Sequence, residues 1–267
     1  MDEPPPPTAA LAAFGLRGEA TPLRGGQRVA WLVGDLVLKP EVDPQLQAWL
    51  GTALAKVPRG GFRLSDPVPA QTGEWVVAGW GASTYQPGRP AGRHCLWWLE
   101  VIAAGRAFHE AVAGLDRPVF LDRRADWWAR ADRQAWGEGV PNVVPELQAT
   151  ATRLLERSAP AGEAQIVHCD LTQNVLLAPD QDPAIIDMSP YWRPPAYAEG
   201  VVVADALCWF NAQPSLLDEV DVSVDAVARA LLFRLLTTNE RLADGVGAAD
   251  VSDTAARYRS AATAIGL

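Results

Sequence analysis

The stretch 165–190 constrains this chain more than any other, because it contains two apolar runs that each end in an acid. Asp170 follows the first run, with Asn174 shortly after it, and Asp187 follows the second. Short apolar runs of this kind are typical of buried strands. We therefore expect two carboxylates and one carboxamide at the ends of neighbouring strands. A magnesium-dependent phosphoryl transfer needs such a set, with one acid to orient a hydroxyl and an acid and an amide to hold the metal.

Composition excludes several classes of partner. The chain has 267 residues, a net charge of −9 and 49% hydrophobic residues, which is ample for a sizeable core. The negative charge makes nucleic acid and anionic membranes poor partners. No apolar run is long enough for a membrane span, and the N-terminal sequence does not have the pattern of a signal peptide. Three cysteines without a Cys-x-x-Cys pair indicate a reducing compartment, so we expect a cytoplasmic protein.

The pattern along the chain predicts an α+β fold with two lobes. Residues 1–14 are expected to be a flexible tail, 15–88 a β-rich nucleotide-binding lobe, and 89–267 a helical lobe that carries the catalytic loop and the acceptor site. In the first lobe, Gly34 and Asp35 predict a tight hairpin turn. In the second lobe, apolar periodicity predicts helices over 96–112, 127–136, 145–157, 198–211, 224–239 and 251–265, with a proline-rich loop over 190–195.

Besides Asn174, four residues of the C-terminal lobe are candidates for a functional or supporting role. Asp187 is the strongest, because an acid at the end of a buried strand is costly to desolvate unless it is paired or metal-bound. Asp170 is either a base that accepts a hydroxyl proton or a loop acid that caps the next turn. His168 is more typical of a residue that holds a loop by hydrogen bonds than of one that moves protons. Asp205 lies within an apolar helical segment and is interpreted as a structural clamp on a nearby loop.

The N-terminal lobe offers weaker candidates. Lys39 ends an apolar strand, where it would reach phosphates or would be an ordinary lysine at a sheet edge. Gly25 and Gly26 precede the hairpin and would let the backbone approach a phosphate.

The order of these parts resembles that of protein kinases: glycine turn, strand lysine, helix, His-x-Asp loop, asparagine and strand-end acid. The details are more similar to the aminoglycoside phosphotransferase and choline kinase family. The run from His168 to Leu171 with Asn174 resembles the catalytic loop of that family, and Asp187 after two isoleucines resembles its metal-binding strand. The run 189–195 is similar to a bacterial subgroup of the family.

The resemblance implies a protein-kinase-like fold and an ATP-dependent small-molecule kinase. Such an enzyme transfers the γ-phosphoryl group to a hydroxyl of a small metabolite or an antibiotic-like acceptor. Asp170 would be the catalytic base, and Asn174 and Asp187 would bind Mg²⁺. The implied nucleotide-binding residues are Lys39, Gly25, Gly26, Tyr85 and Gln86, with the segment 83–88 as a hinge that offers backbone groups to adenine.

Two departures from the family pattern leave a second hypothesis open. Asn174 follows Asp170 by four residues instead of five, so either the loop makes a tighter turn or Asn174 is displaced. The helix after Lys39 also lacks an internal acid to pair with that lysine. The alternative is therefore a nucleotide-binding regulatory protein of the same fold with little or no phosphotransfer. A protein kinase is disfavoured, because Met188 and Ser189 follow Asp187 in place of Phe-Gly.

Overall fold

The structure is a computed structural model that describes residues 4–23, 30–40, 42–90, 95–158, 162–247 and 251–267. The chain divides into two compact units. Unit 1 comprises Met1–Pro90 and Leu176–Asp187, and unit 2 comprises Ala91–Val175 and Met188–Leu267. The segment Leu176–Asp187 joins the N-terminal unit, whereas the sequence placed all residues after 88 in the C-terminal lobe.

Unit 1 is built on an antiparallel sheet whose strands are β1 (Thr21–Pro22), β2 (Trp31–Val33), β3 (Leu36–Pro40), β5 (Pro67–Val68), β6 (Val76–Val77) and β7 (Trp80–Thr84). The order is β1–β2–β3–β7, and both β5 and β6 pair with β7. Gly34 has a φ of +63°, which only glycine adopts without strain, and it forms the predicted two-residue hairpin turn with Asp35. Helix α2 (Pro44–Ala53) is capped by Asp43, whose carboxylate accepts from the backbone amides of the second and third helical residues.

A second sheet in unit 1 has the strands β4 (Arg63–Leu64), β8 (Arg89–Pro90), β10 (Val175–Leu177) and β11 (Ala184–Ile185). Its order is β4–β11–β10–β8, in which β4 and β11 are parallel and β10 and β8 are antiparallel. These pairings explain why the segment Leu176–Asp187 belongs with the first ninety residues.

The N-terminal segment differs from the flexible tail that the sequence predicted. Residues Thr8–Ala13 form helix α1. Ala10 and Phe14 are buried in one apolar cluster with Val33, Leu38 and Trp80. The four preceding prolines suggested a frayed end, but burial of this apolar face stabilises the helix against the sheet.

Unit 2 is mainly helical. Its helices are α3 (Cys95–Val112), α4 (Trp127–Ala135), α5 (Pro145–Arg157), α6 (Pro195–Trp209), α7 (Leu216–Val220), α8 (Val224–Ala243) and α9 (Ser252–Ala264). Helix α8 lies at the centre and packs against α4, α5, α6 and α9. Strand β9 (Gln165–His168) pairs with β12 (Pro190–Arg193) in an antiparallel ribbon. The predicted helices are all present within a few residues of their expected ends, whereas α7 was not predicted.

Two expectations about the strands are wrong. The run 190–195 is not a loop, because β12 forms there with Pro190 as its first residue, a position that proline tolerates. The strands before Asp170 and Asp187 also belong to different sheets. Strand β9 pairs with β12 in unit 2, while β11 lies between β4 and β10 in unit 1. A short apolar run indicates a strand but carries no information about the partner of that strand.

None of the helices in the described parts of the chain combines the length and the apolarity that a bilayer crossing requires.

Close approach of α6 and α8 predicts a strong effect at Gly200. A Cβ atom at this position would lie 2.6 Å from the backbone oxygen of Ala226 in α8. We expect Gly200→Ala to lower the free energy of unfolding by about 1–3 kcal/mol, because the two backbones must move apart. Gly114→Ala is the matched control, since its Cβ would meet open space. Denaturant unfolding measures both variants, and equal stability of the two would contradict this packing.

Candidate active site

The loop after β9 makes a tight turn that accounts for its short length. The backbone N–H of Asn174 donates to the carbonyl of Leu171 at 2.9 Å. Gln173, the third residue of this turn, has a φ of +69°. A positive φ at the third position of a four-residue turn is the pattern of type II turns. The loop therefore closes one residue early by adopting a left-handed conformation at Gln173.

The side chain of Asn174 folds back on Asp170. Its Nδ2 donates to the backbone oxygen of Asp170 at 2.6 Å and to Oδ2 of the same residue at 3.1 Å. Of the two alternatives that the spacing left open, the structure has the tighter turn. Asn174 uses its nitrogen for both bonds, so the amide oxygen is the atom that a metal ion would need.

His168 ties the loop to its surroundings from a fully buried position. Its Nδ1 accepts from the backbone amides of Asp170 at 3.2 Å and Ser189 at 3.4 Å. Its own backbone amide donates to Nε2 of His109 on α3 at 3.1 Å. These contacts are those of a residue that positions a loop, which is the role that the sequence favoured.

The carboxylate of Asp170 is held by an arginine that the sequence analysis missed. Arg234 of α8 donates from Nη2 to Oδ1 of Asp170 at 3.0 Å. The same guanidinium donates to both oxygens of Asp205 on α6, from Nε at 2.8 Å and from Nη2 at 2.6 Å. Asp205 was expected to clamp a nearby loop, and it reaches that loop through Arg234.

The pKa values of this cluster follow from burial and charge. Burial raises the pKa of Asp205 above its ordinary value, although the cation of Arg234 opposes that rise. Burial also disfavours the charge on Arg234, but the carboxylates of Asp205 and Asp170 outweigh it and hold the pKa of Arg234 above its ordinary value. Arg234 thus stays a cation that two carboxylates share.

A signal for Arg234 was present in the sequence. It lies in the middle of an apolar helical run, between two leucine pairs with Phe233 before it. A charge in such a run is buried only with a partner of opposite charge. Asp205 has the same kind of apolar setting in α6. Each of the two residues therefore indicates that it is paired with a buried residue of opposite charge.

Asp170 lines a cavity of about 350 Å³ within unit 2. The wall is formed by the loop after β9, by the end of α6 and by α8, with further side chains from α4 and α9. The side chain of Asp170 is 48% exposed, while that of Arg234 behind it is 12% exposed. The carboxylate is therefore accessible to a ligand on one side and fixed by a cation on the other.

Unit 1 brings together two other predicted residues. Nζ of Lys39, on β3, donates to Oδ1 of Asp187, which follows β11. Asp187 is therefore the acid that pairs with Lys39. It follows β11, 148 residues away in the sequence, and does not come from α2. Asp187 also has a φ of +52°, a left-handed conformation that aspartate tolerates better than most residues.

The other predicted nucleotide contacts have mixed outcomes. Gly25 and Gly26 lie outside the described residues. The backbone amide of Tyr85 donates to Asp35 at 2.9 Å, so that N–H is already used within unit 1. The side chain of Gln86 accepts from Arg63 at 2.8 Å and donates to the carbonyl of Leu64 at 3.0 Å. The hinge role of this segment stays a prediction.

The donor chemistry fits a magnesium ion bound through phosphates. The described residues contain no cluster of three or more His, Cys, Asp or Glu side chains suited to a metal. Mg²⁺ bound with a nucleotide does not need one, because it takes one or two protein oxygens and completes its shell with phosphates and water. The carboxylate of Asp187, 41% exposed, and the amide oxygen of Asn174 are oxygens of that type.

Known structures resemble the chain over nearly its whole length. An aminoglycoside phosphotransferase from Alicyclobacillus acidocaldarius has a TM-score of 0.64 at 16% identity. The match covers 100% of this chain and 95% of the phosphotransferase chain. Spectinomycin phosphotransferase in complex with ADP and spectinomycin has a TM-score of 0.60 at 11% identity, with coverage of 96% and 95%. A choline kinase from Streptococcus pneumoniae has a TM-score of 0.59 at 12% identity, with coverage of 96% for both chains.

The chain has the fold of the aminoglycoside phosphotransferases and choline kinases. This confirms the predicted α+β, kinase-like fold with two lobes. Neither the family models nor the curated proteins include a match to the sequence. The fold was nevertheless recognisable from residues such as Asp170, Asn174 and Asp187, because short motifs remain readable where overall identity is low.

Burial of His109 behind the loop predicts a pH-dependent stability. Burial first, and then the charge of His168, lower the pKa of His109 to about 3. The unfolded chain has an ordinary histidine, with a pKa of about 6.5. Between these two pKa values the unfolded state binds a proton at His109 and the folded state does not. The stability that is present above about pH 6.5 is therefore lost as the pH falls toward 3.

The test compares the wild type with His109→Gln by denaturant unfolding at several values between about pH 7 and pH 5. We expect the wild type to lose up to about 1.4 kcal/mol more per pH unit than the variant, which corresponds to one proton. Parallel pH dependences of the two proteins would show that His109 does not titrate in this way.

Proposed function

We propose that this protein is an ATP-dependent small-molecule kinase that transfers the γ-phosphoryl group to a hydroxyl of its acceptor. The observation that carries the proposal is the carboxylate of Asp170, which is exposed on a cavity and fixed by Arg234 and Asn174. The fold supports it, because the similar structures include phosphotransferases solved with ADP or an ATP analogue.

Asp170 would act as the base toward the acceptor. Its carboxylate takes the hydroxyl proton while the hydroxyl oxygen forms a bond to the γ-phosphorus and the bond to the oxygen that bridges the β- and γ-phosphates breaks. ADP leaves with the electron pair of that bond, and Asp170 returns its proton to solvent. Arg234 and Asn174 keep the carboxylate oriented, so the contribution of this cluster is one of position and electrostatics.

Lys39 and Asp187 would serve the nucleotide. The two side chains neutralise each other in the structure. A triphosphate offers Lys39 a stronger partner than a single carboxylate, which would release Asp187 to bind Mg²⁺. Bound Mg²⁺ supplies neutralisation of the charge that develops on the transferred phosphoryl group.

A regulatory nucleotide-binding protein is the second candidate, and the contacts of Asp170 favour it. Oδ1 of Asp170 already accepts from Arg234 and Oδ2 accepts from Asn174, so both oxygens have partners before an acceptor hydroxyl binds. A protein of this kind would bind MgATP and transfer little or no phosphate.

Replacement of the base separates binding from transfer. We expect Asp170→Asn to lower kcat by about 10²–10⁴-fold, because the amide cannot accept the hydroxyl proton. The Kd for MgATP should change by less than about threefold, since Asp170 is placed on the acceptor side of the reaction. Asp116→Asn, an exposed loop acid, is the matched control. ADP release across an acceptor panel measures turnover, and calorimetry measures nucleotide affinity.

Two results would overturn the proposal. Equal turnover by Asp170→Asn and the wild type on an identified acceptor would remove Asp170 as the base. Tight MgATP binding by the wild type without transfer to any acceptor in a broad panel would favour the regulatory protein.

A further inference from the structure

We propose that the cavity at Asp170 selects an anionic acceptor, namely an alcohol that also carries a carboxylate or phosphate group, and that Arg241 binds this group. The inference rests on the proposed kinase function, because it names the substrate class of the same site. Its basis is the distribution of charge around the cavity.

The acids of the cavity are already balanced. Asp205 is buried, and both of its oxygens accept from Arg234, so its carboxylate is not available to neutralise a cationic ligand. Asp170 shares the same guanidinium. Among the described residues that line the cavity, Asp170 is therefore the one accessible carboxylate. An acceptor with several ammonium groups would lose water from each of them and would find a single counter-charge.

Arg241 provides an exposed cation on the same face of α8, seven residues after Arg234. Its guanidinium lies 5.6 Å from the ring centre of Trp127. The neighbouring acids Glu240 and Asp244 are engaged elsewhere, because Arg130 pairs with them at 2.5 Å and 2.8 Å. No ion pair forms between Arg241 and an acid in the parts of the chain that the structure describes. A carboxylate or phosphate is the natural complement of such a group.

One aromatic side chain of the cavity, that of Trp209, supports the same conclusion. Exposed indole rings bind cations, so Trp209, which is 39% exposed, would by itself suit an ammonium group. The guanidinium of Arg257 already lies 5.7 Å from its ring centre, and Tyr258 packs against it edge to face at 6.0 Å. Trp209 thus offers an apolar surface beside a resident cation, which fits a ring or hydrocarbon part of the acceptor.

The spacing of these groups sets the size of the acceptor. Seven residues of α-helix rise about 10 Å, which is the distance along α8 between Arg234, beside Asp170, and Arg241. An acceptor that reaches from Asp170 to Arg241 would therefore separate its hydroxyl from its anionic group by roughly one ring.

Three probes of one shape test the sign of this selection. Para-hydroxymethylbenzoate carries the anion, para-bis(hydroxymethyl)benzene is neutral, and para-(aminomethyl)benzyl alcohol carries an ammonium group. Binding is measured by ligand-observed NMR without nucleotide, and transfer is measured by ADP release with MgATP. We expect the wild type to bind the carboxylate probe at least about tenfold more tightly than the ammonium probe.

Variants assign the selection to one residue. Arg241→Gln should bring the two affinities to within about twofold, and Arg241→Glu should reverse their order. Arg259→Gln removes another exposed arginine, from α9, and should leave the preference unchanged. Thermal unfolding of each variant verifies that the fold is retained.

Each outcome decides between the claims. Equal or tighter binding of the ammonium probe by the wild type, or no binding of the carboxylate probe at millimolar concentration, overturns the inference. An unchanged preference in Arg241→Gln also overturns it. Charge selection without phosphorylation of any acceptor would contradict the proposed kinase and leave the selectivity in place. ADP release with choline or the ammonium probe alone would support the kinase and contradict the inference.

Discussion

The buried guanidinium of Arg234 is the interaction on which the site in unit 2 depends. It is shared by Asp170 and Asp205, and so it joins the loop after β9, helix α6 and helix α8 in one network. Loss of one partner from a buried ion pair typically costs about 3–5 kcal/mol, because the remaining charge has no counter-charge. The same contact that stabilises the packing of α6 and α8 therefore fixes the direction of the Asp170 carboxylate.

The loop beside this network shows how local backbone geometry compensates for a missing residue. A left-handed residue, Gln173, closes the turn early and leaves Asn174 in contact with Asp170. His168 holds the other side of the loop through the amides of Asp170 and Ser189. The position of the carboxylate is thus set by a side chain on each flank and by a cation behind it, as a group that depends on precise placement requires.

Much of the fold was predictable because its signals are local. Apolar periodicity located α5 and α8, and the Gly34–Asp35 turn located the first hairpin. Strand partners are not predictable in this way, so the sequence predicts a loop where β12 forms and neighbouring strands where β9 and β11 lie in different sheets. The flexible tail was inferred from prolines, and it contains a helix because Phe14 finds an apolar partner surface in the sheet.

In the candidate site, too, the residues were predictable from local sequence and their contacts with distant residues were not. The motif residues stood out by their types and spacing, but the ion pair of Lys39 with Asp187 joins residues far apart in the chain. Arg234 was visible as a charge within an apolar run, yet its two partners depend on how α6 and α8 pack. The charge that the cavity wall presents to a ligand could not be predicted from the sequence. It depends on where Arg241 lies and on which acids are already paired with arginines.

The most direct test of the account is the distance between the hydroxyl oxygen of a bound acceptor and the carboxylate of Asp170. A crystal structure of the wild type with Mg²⁺, a non-hydrolysable ATP analogue and an acceptor that the protein phosphorylates would provide it. We expect a separation within about 3.2 Å, with Arg234 still bonded to Asp170 and Asp205. A hydroxyl bound away from Asp170, or an Arg234 turned out of the network, would contradict it.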